Sequence, residues 1–182
     1  MHIADRVTQL PEYPFVTISR TIAAKRAQGI DVISFGIGDP DRETPGFILD
    51  ALDKGTRNTP NHRYPESEGL PEFRKSVTDW YECRFGVKLN PETEAISLIG
   101  AKEGIGHAAL AFLNPGDVAI MPDPAYPVYD IGTIFAGGVS YKVPMHEEAG
   151  WLIELDSIPT EVADRAKVLW LNYPNNPTGG IG

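Results

Sequence analysis

The chain has 182 residues, enough for one domain with a hydrophobic core and too few for two large ones. Leu, Ile, Val and Phe make up about a quarter of it, above the level at which charged chains become disordered, and Gly with Pro stay below the share that marks low complexity. A net charge of −9 argues against a broad nucleic-acid surface, and the single Cys83 excludes an internal disulfide or a cysteine metal cluster and favours a reducing, cytoplasmic setting.

No basic segment followed by an apolar one opens the sequence, and its longest aliphatic or aromatic run, residues 108–113, is far short of a membrane span of roughly 20 residues. Residues 15–27 are expected to form a helix, with Phe15, Ile18, Ile22 and Ala23 on one face and Gly29 as its stop. Residues 32–35 suggest a short strand leading into Gly36-Ile37-Gly38-Asp39-Pro40-Asp41. Thr44-Pro45 then has the form of an N-cap with proline at the first helical position, opening a helix through Leu52. Residues 54–67 form a long polar connection, the kind of loop that often carries function.

Leu70, Phe73, Val77, Trp80 and Tyr81 recur at helical spacing between Pro71 and Gly86. Beyond them the period changes. Short β-rich runs at 95–99, 118–121, 139–143 and 168–171 are separated mainly by helical stretches at 105–113, 126–135 and 157–166. Strands alternating with helices predict an α/β sheet whose ligand site lies at the carboxyl ends of the strands.

The unusual residues fall at those ends: Gly100-Ala101-Lys102-Glu103-Gly104, Pro122-Asp123-Pro124-Ala125-Tyr126-Pro127, and Tyr173-Pro174-Asn175-Asn176-Pro177-Thr178-Gly179. A strand, a glycine turn and a helix leave N–H groups aimed at one spot, an anion site that needs no basic patch; the same pattern also serves as an ordinary turn. Gly104-Ile105-Gly106-His107-Ala108-Ala109 matches a dinucleotide fingerprint, but it lies too far past the strand and is expected inside the helix.

Tyr126, held between Pro124 and Pro127, could stack on a planar heteroaromatic ligand or pack in the core. Tyr64 in the polar loop could reach a phosphate or be merely exposed. Asn176 could donate to a phenolate-type oxygen, although Asn, Pro and Gly there are also plain turn chemistry. The four histidines show no paired metal-ligand spacing, so no metal site is assigned, and no G-x-S-x-G nucleophile elbow is present.

Taken together, and with Tyr64-Pro65 and Gly69, these motifs resemble the first part of a fold-type-I, pyridoxal-phosphate-dependent class I/II aminotransferase across nearly the whole chain. Within that family the Gly-Ala-Lys-Glu-Gly loop and Tyr13-Pro14-Phe15 resemble the branch acting on LL-2,6-diaminopimelate in lysine biosynthesis. The resemblance implies a three-layer α/β/α large domain from residue 44 onward, incomplete here, with residues 1–43 as an amino-terminal arm and small-domain segment. It implies pyridoxal 5'-phosphate as cofactor, held by Tyr64, Ala101, Lys102, Tyr126 and Asn176. Tyr64 would reach the phosphate of a neighbouring subunit, and a site shared in that way implies a homodimer. Tyr13, Gly38, Lys102, Tyr126 and Asn176 would meet amino-acid and 2-oxo-acid substrates. No nucleic-acid or membrane partner is expected.

Two departures accompany it. Ser67, in Tyr64-Pro65-Glu66-Ser67-Glu68-Gly69, stands where some of that branch carry a glutamate that reads the far end of the substrate. None of the seven lysines lies in the family's Schiff-base context, so the chain is expected to be a fragment, inactive and poorly soluble alone, with no residue assigned as catalytic. The alternatives are a class I/II aminotransferase using alanine, aspartate or an aromatic donor, and a non-catalytic aminotransferase-like module. The regulator version of such a module carries a helix-turn-helix segment, for which the 35 residues before Gly36 are too few.

Overall fold

The structure, a computed structural model, describes every residue except Met1, Pro11, Glu12, Ile37 and Asp39, and at Pro14 the backbone alone. Two members of the expected 36–41 turn thus lie outside the described residues. The chain forms two compact units, Met1–Pro11 with Leu98–Gly182, and Glu12–Ser97. The elements in chain order are α1 (Asp5–Thr8), α2 (Pro14–Ala27), α3 (Gly46–Thr56), α4 (Pro71–Phe85), α5 (Ala101–Phe112), β1 (Val118–Asp123), α6 (Val128–Phe135), β2 (Val139–Pro144), α7 (Thr160–Ala163) and β3 (Ala166–Leu169).

In the Glu12–Ser97 unit, α2 and α4 appear where the apolar spacing puts them. Helix α4 begins on Pro71 and ends at Gly86, which is left-handed (φ 69°) and donates its N–H to the Glu82 carbonyl at 2.9 Å. Helix α3 differs at both ends. Pro45 is its extended N-cap (ψ 136°) rather than its first helical residue, and Thr44 makes no cap. Proline fixes φ but not ψ, so the turn into the helix falls one residue later. The helix then passes Leu52 and reaches Thr56, where Arg57 grips both Asp53 carboxylate oxygens at 2.9–3.0 Å. The long polar connection is therefore partly ordered, with a 3-10 turn at Thr59–His62.

The strands expected at 32–35 and 95–99 do not form. Both runs are extended but unladdered, because no strand among the described residues pairs with either, and a strand exists only through its partner. Phe35 and Ile99 are almost wholly exposed as a result (95% and 98%). A single bond, Ser97 N–H to the Glu68 carbonyl at 2.9 Å, ties the second run to the loop before α4. That contact is close. Gly69 has φ +90°, and a Cβ there would lie 2.2 Å from Ser97 Cβ. Arg74 clamps the same region from inside: its buried guanidinium donates to the Gly69 carbonyl (3.2 Å) and the Pro91 carbonyl (2.6 Å).

The other unit is built on a three-stranded sheet, order β2-β1-β3, with both pairs parallel. Central β1 is buried on both faces, as a parallel strand between helical layers must be. Ala119 and Met121 join Ala109 and Leu113 of the α5 segment and Tyr129 of α6. Val118 and Ile120 face the other way, with Val143 and partly buried Ile153, Ile158 and Val162. Helices α5 and α6 pack closely, Ala109 against Gly132.

Several boundaries differ from expectation: helix α5 starts at Ala101 rather than at 105, and β1 runs on to Asp123 rather than ending at 121. Helix α6 starts at Val128, after Pro127 as N-cap, not at Tyr126. Strand β3 spans Ala166–Leu169 rather than 168–171. The helix expected at 157–166 is a 3-10 turn, Leu155–Ser157, and one turn of α7, because Pro159 disfavours a helical Ile158 and has no N–H to donate. Residues 104–109 lie within α5, as expected of a false fingerprint.

On the sheet edge, Lys142 Nζ meets Asp130 Oδ2 at 2.7 Å while Ser140 Oγ donates to Asp130 Oδ1 at 2.6 Å. The hydrogen bond to Asp130 raises the Lys142 pKa above its ordinary 10.5. A cation with a raised folded-state pKa stabilises fully below its unfolded value, and the contribution is lost as pH climbs through the folded one. The urea-unfolding midpoint of Lys142→Met is therefore expected to fall below that of the wild type at pH 8, and the gap to narrow as pH rises past the ordinary 10.5 towards the raised value.

Gly69 and Gly150, both at positive φ, separate conformation from space, since a Cβ at Gly150 (φ +65°) meets nothing within 4 Å. Gly150→Ala is expected to cost about 1–2 kcal/mol for conformation alone. Gly69→Ala should cost about 1–3 kcal/mol more for the collision with Ser97. Urea denaturation of both variants measures the difference.

Candidate functional site

Strand order β2-β1-β3 sends the chain out of β1 by α6 to one side and brings it back to the other, so the connections diverge between β1 and β3. In open parallel sheets a ligand crevice lies at that divergence, outside the carboxyl ends of the strands. Two of the expected loops flank it. Residues 123–127 follow β1, and residues 172–180 follow β3.

The second loop is bound to itself. Asn175 N–H donates to the Gly180 carbonyl (2.8 Å), Gly179 N–H to the Asn175 carbonyl (2.7 Å), and Asn176 N–H to Asn172 Oδ1 (3.2 Å). A Cβ on Gly180 would approach Trp151 to 2.8 Å, and Tyr173 Oη accepts the Ile153 N–H at 2.9 Å. The turn is thus braced from outside and within, and it leaves Asn176 exposed.

Tyr126 is half-buried beside β1, its ring edge-on to Tyr129 at 6.0 Å. Tyr129 in turn stacks on Trp170 with centroids 4.9 Å apart and planes 12° apart. Burial, with Tyr126 as a neighbour, raises the Tyr129 pKa, so its phenol stays neutral. Lys102 Nζ sits 5.6 Å from the Tyr126 ring centroid, a cation–π contact that joins the start of α5 to the end of β1.

Helix α5 starts with Gly100 as N-cap, in extended backbone and with no side-chain cap. Glu103 lies three residues on, the usual place for a back-reaching acid, and accepts the Ile99 N–H through Oε2 at 2.8 Å. The first turn of the helix, with Ala101 and Lys102, carries the positive end of the helix dipole. A groove of about 450 Å³ lined by Gly100, Lys102, Glu103 and His107 opens there, a size typical of small-molecule sites.

Of the residues singled out in sequence, Ala101, Lys102, Tyr126 and Asn176 belong to this unit, and contacts join Lys102 to Tyr126 directly. Tyr13, Gly38 and Tyr64 belong to the Glu12–Ser97 unit. Tyr13 is the N-cap of α2 with its ring 5.3 Å from Phe15, Gly38 is exposed, and Tyr64 is fully exposed after the 3-10 turn. Three shaping side chains escaped the sequence reading: Glu103, Trp170 and Asn175. Glu103 carries a usable signal, since it lies three residues after the glycine cap. Asn175 is 4% exposed and spans the two loops, and only its Asx-turn chemistry hints at that.

The donor set fits a phosphorylated heteroaromatic group. It combines helix amides and a lysine for the anion, an aromatic face nearby, and an exposed amide on a fixed turn. A family profile described as aminotransferase class I and II matches residues 30–181. An LL-diaminopimelate aminotransferase of Dehalococcoides mccartyi is 56% identical over 181 residues, all of this chain and 47% of its own length. The one from Aquifex aeolicus is 56% identical over 175 residues, 96% of this chain and 45% of its own. Among solved structures, apo-BacF from Bacillus subtilis superposes with a TM-score of 0.92 at 35% identity, over all of this chain and 47% of that one. The chain spans about half the length of the curated relatives it matches. Its sequence motifs, parallel sheet and profile match agree: the chain belongs to the class I and II aminotransferase family, with its fold-type-I α/β architecture.

Proposed function

We propose that these residues work within a cytoplasmic, homodimeric pyridoxal-phosphate-dependent aminotransferase that moves an amino group between LL-2,6-diaminopimelate and 2-oxoglutarate. The observation that carries the proposal is the Lys102–Tyr126 contact, which sets a cation, a helix N-terminus and an aromatic ring side by side at the divergence of the sheet. The identity of the Dehalococcoides and Aquifex relatives supports the substrate.

Pyridoxal phosphate, when bound, supplies the electron sink that amino-group transfer requires. The chain supplies the setting. Ala101 and Lys102 amides would hold the phosphate against the helix dipole, with Tyr64 reaching the phosphate of the neighbouring subunit. Tyr126 would cover the ring and exclude water from one side of it. Asn176 would donate to the ring's 3-oxygen and hold its charge. Tyr13, Gly38 and Lys102 would bind substrate carboxylates, and Tyr126 and Asn176 would also meet the substrate. The lysine that carries the cofactor would come from outside these residues. Residues 1–43 would serve as arm and small-domain segment, and 44–182 as part of the cofactor-binding domain.

Ser67, in place of a family glutamate, favours one rival: the same chemistry on a different amino donor. Glutamate formation from 2-oxoglutarate by the full-length protein decides between them. Diaminopimelate is expected to be the best donor among diaminopimelate, alanine, aspartate and phenylalanine. Turnover with another donor and none with diaminopimelate would leave the rival standing, and no turnover with any would leave a non-catalytic module.

Tyr126→Ala should weaken pyridoxal phosphate retention by loss of ring contact (about 0.5–1.5 kcal/mol beyond area burial), and Tyr126→Phe should keep most of it. Equilibrium dialysis measures both, and equal losses would assign the effect to the hydroxyl instead of the ring.

A further inference from the structure

Among the described residues, the Asn175 side chain hydrogen-bonds the loop after β1 to the loop after β3. Its Nδ2 donates to Thr178 Oγ1 at 2.9 Å within its own turn, and to the Pro124 carbonyl at 3.4 Å, 51 residues away. The orientation of the amide is forced. Pro124 presents a carbonyl, which only accepts, so the NH₂ end must face it. The other end then pays a penalty: Asn175 Oδ1 is buried and has no hydrogen-bond partner. Asn175 N–H and carbonyl already close the turn through Gly180 and Gly179, so the turn does not need this side chain to form. What the side chain adds is the tie to Pro124, two residues before Tyr126 and one residue before Asn176 along its own strand of the site.

Resting on the proposed cofactor site, we infer that Asn175 is a positioning residue that fixes the Tyr126 ring relative to the Asn176 amide across the crevice between β1 and β3. It touches neither cofactor nor substrate. Its effect on the cofactor passes through Tyr126, because Ala125 alone separates the tie at Pro124 from the ring-bearing residue. A residue that merely stabilised the fold would weaken the site whatever stood at 126.

A double-mutant cycle in the full-length protein tests this, read as the dissociation constant of pyridoxal phosphate by equilibrium dialysis and as the urea-unfolding midpoint. Asn175→Ala is expected to raise the dissociation constant five- to tenfold when Tyr126 is present and less than twofold in the Tyr126→Ala background. Equal fold-changes in both backgrounds would overturn the inference and make Asn175 a structural residue. If Tyr126→Ala alone leaves the dissociation constant unchanged, the proposed ring contact has failed, and Asn175 has no ring to position. Asn175→Ser keeps a hydroxyl for Thr178 but is too short for Pro124. It carries the same cycle should the alanine variant fail to fold, with the same expected and contrary results.

Discussion

Strand β1 has a parallel neighbour on each edge and buried side chains on each face, and the candidate site follows from that enclosure. A strand so placed has no free edge and no wet face, so polar chemistry can gather only at its ends. The crossover through α6 goes to one side and the return into β3 to the other, which opens a gap that no connection crosses. Two proline-rich loops border the gap. Because their backbones emerge from a ladder fixed by hydrogen bonds, Tyr126 and the Asn175-Asn176 pair inherit their positions from the sheet, and one amide suffices to relate them.

How an acidic chain could hold an anion at the proposed site is then a question of orientation and not of net charge. The −9 is spread over solvated carboxylates, whose fields water and salt screen within roughly 10 Å. At the start of α5 the nearest carboxylate, Glu103, is turned back onto the Ile99 N–H. Its charge is held by that amide, while Lys102 lines the groove at the first turn, where the helix dipole is positive. His107 Nδ1 lies 3.9 Å from the other Glu103 oxygen, so the carboxylate is bracketed between that ring and the Ile99 amide.

Much of this was legible from the residues alone. The helical spacing around Leu70 and Trp80 placed α4 to within a residue, since an apolar stripe, a first-turn proline and a terminal glycine each mark it independently. The loops at the ends of β1 and β3 stood out because prolines and asparagines cluster there directly after β-rich runs. Residues 157–166 misled because their apolar spacing is helical while Pro159 breaks the backbone within it, and the proline outweighs the pattern. Asn175 was hidden for another reason. Its defining bond joins positions 51 residues apart, and no local pattern encodes which carbonyl a buried amide will meet.

The runs at 32–35 and 95–99 show the limit of pattern reading most sharply. β-branched alternation says that a segment suits a pleated surface, but hydrogen bonds to a neighbour make it a strand, and here the described residues offer neither run a neighbour. The site does not need the second run to be a strand. What α5 requires is that the chain enter it from an extended Gly100 with the preceding amide satisfied, and Glu103 satisfies that amide from within the helix. The candidate anion-binding turn is thereby set by a contact four residues long. It depends on local capping, whereas Tyr126 and Asn176 depend on the sheet, and the Lys102–Tyr126 contact is where the two kinds of constraint meet.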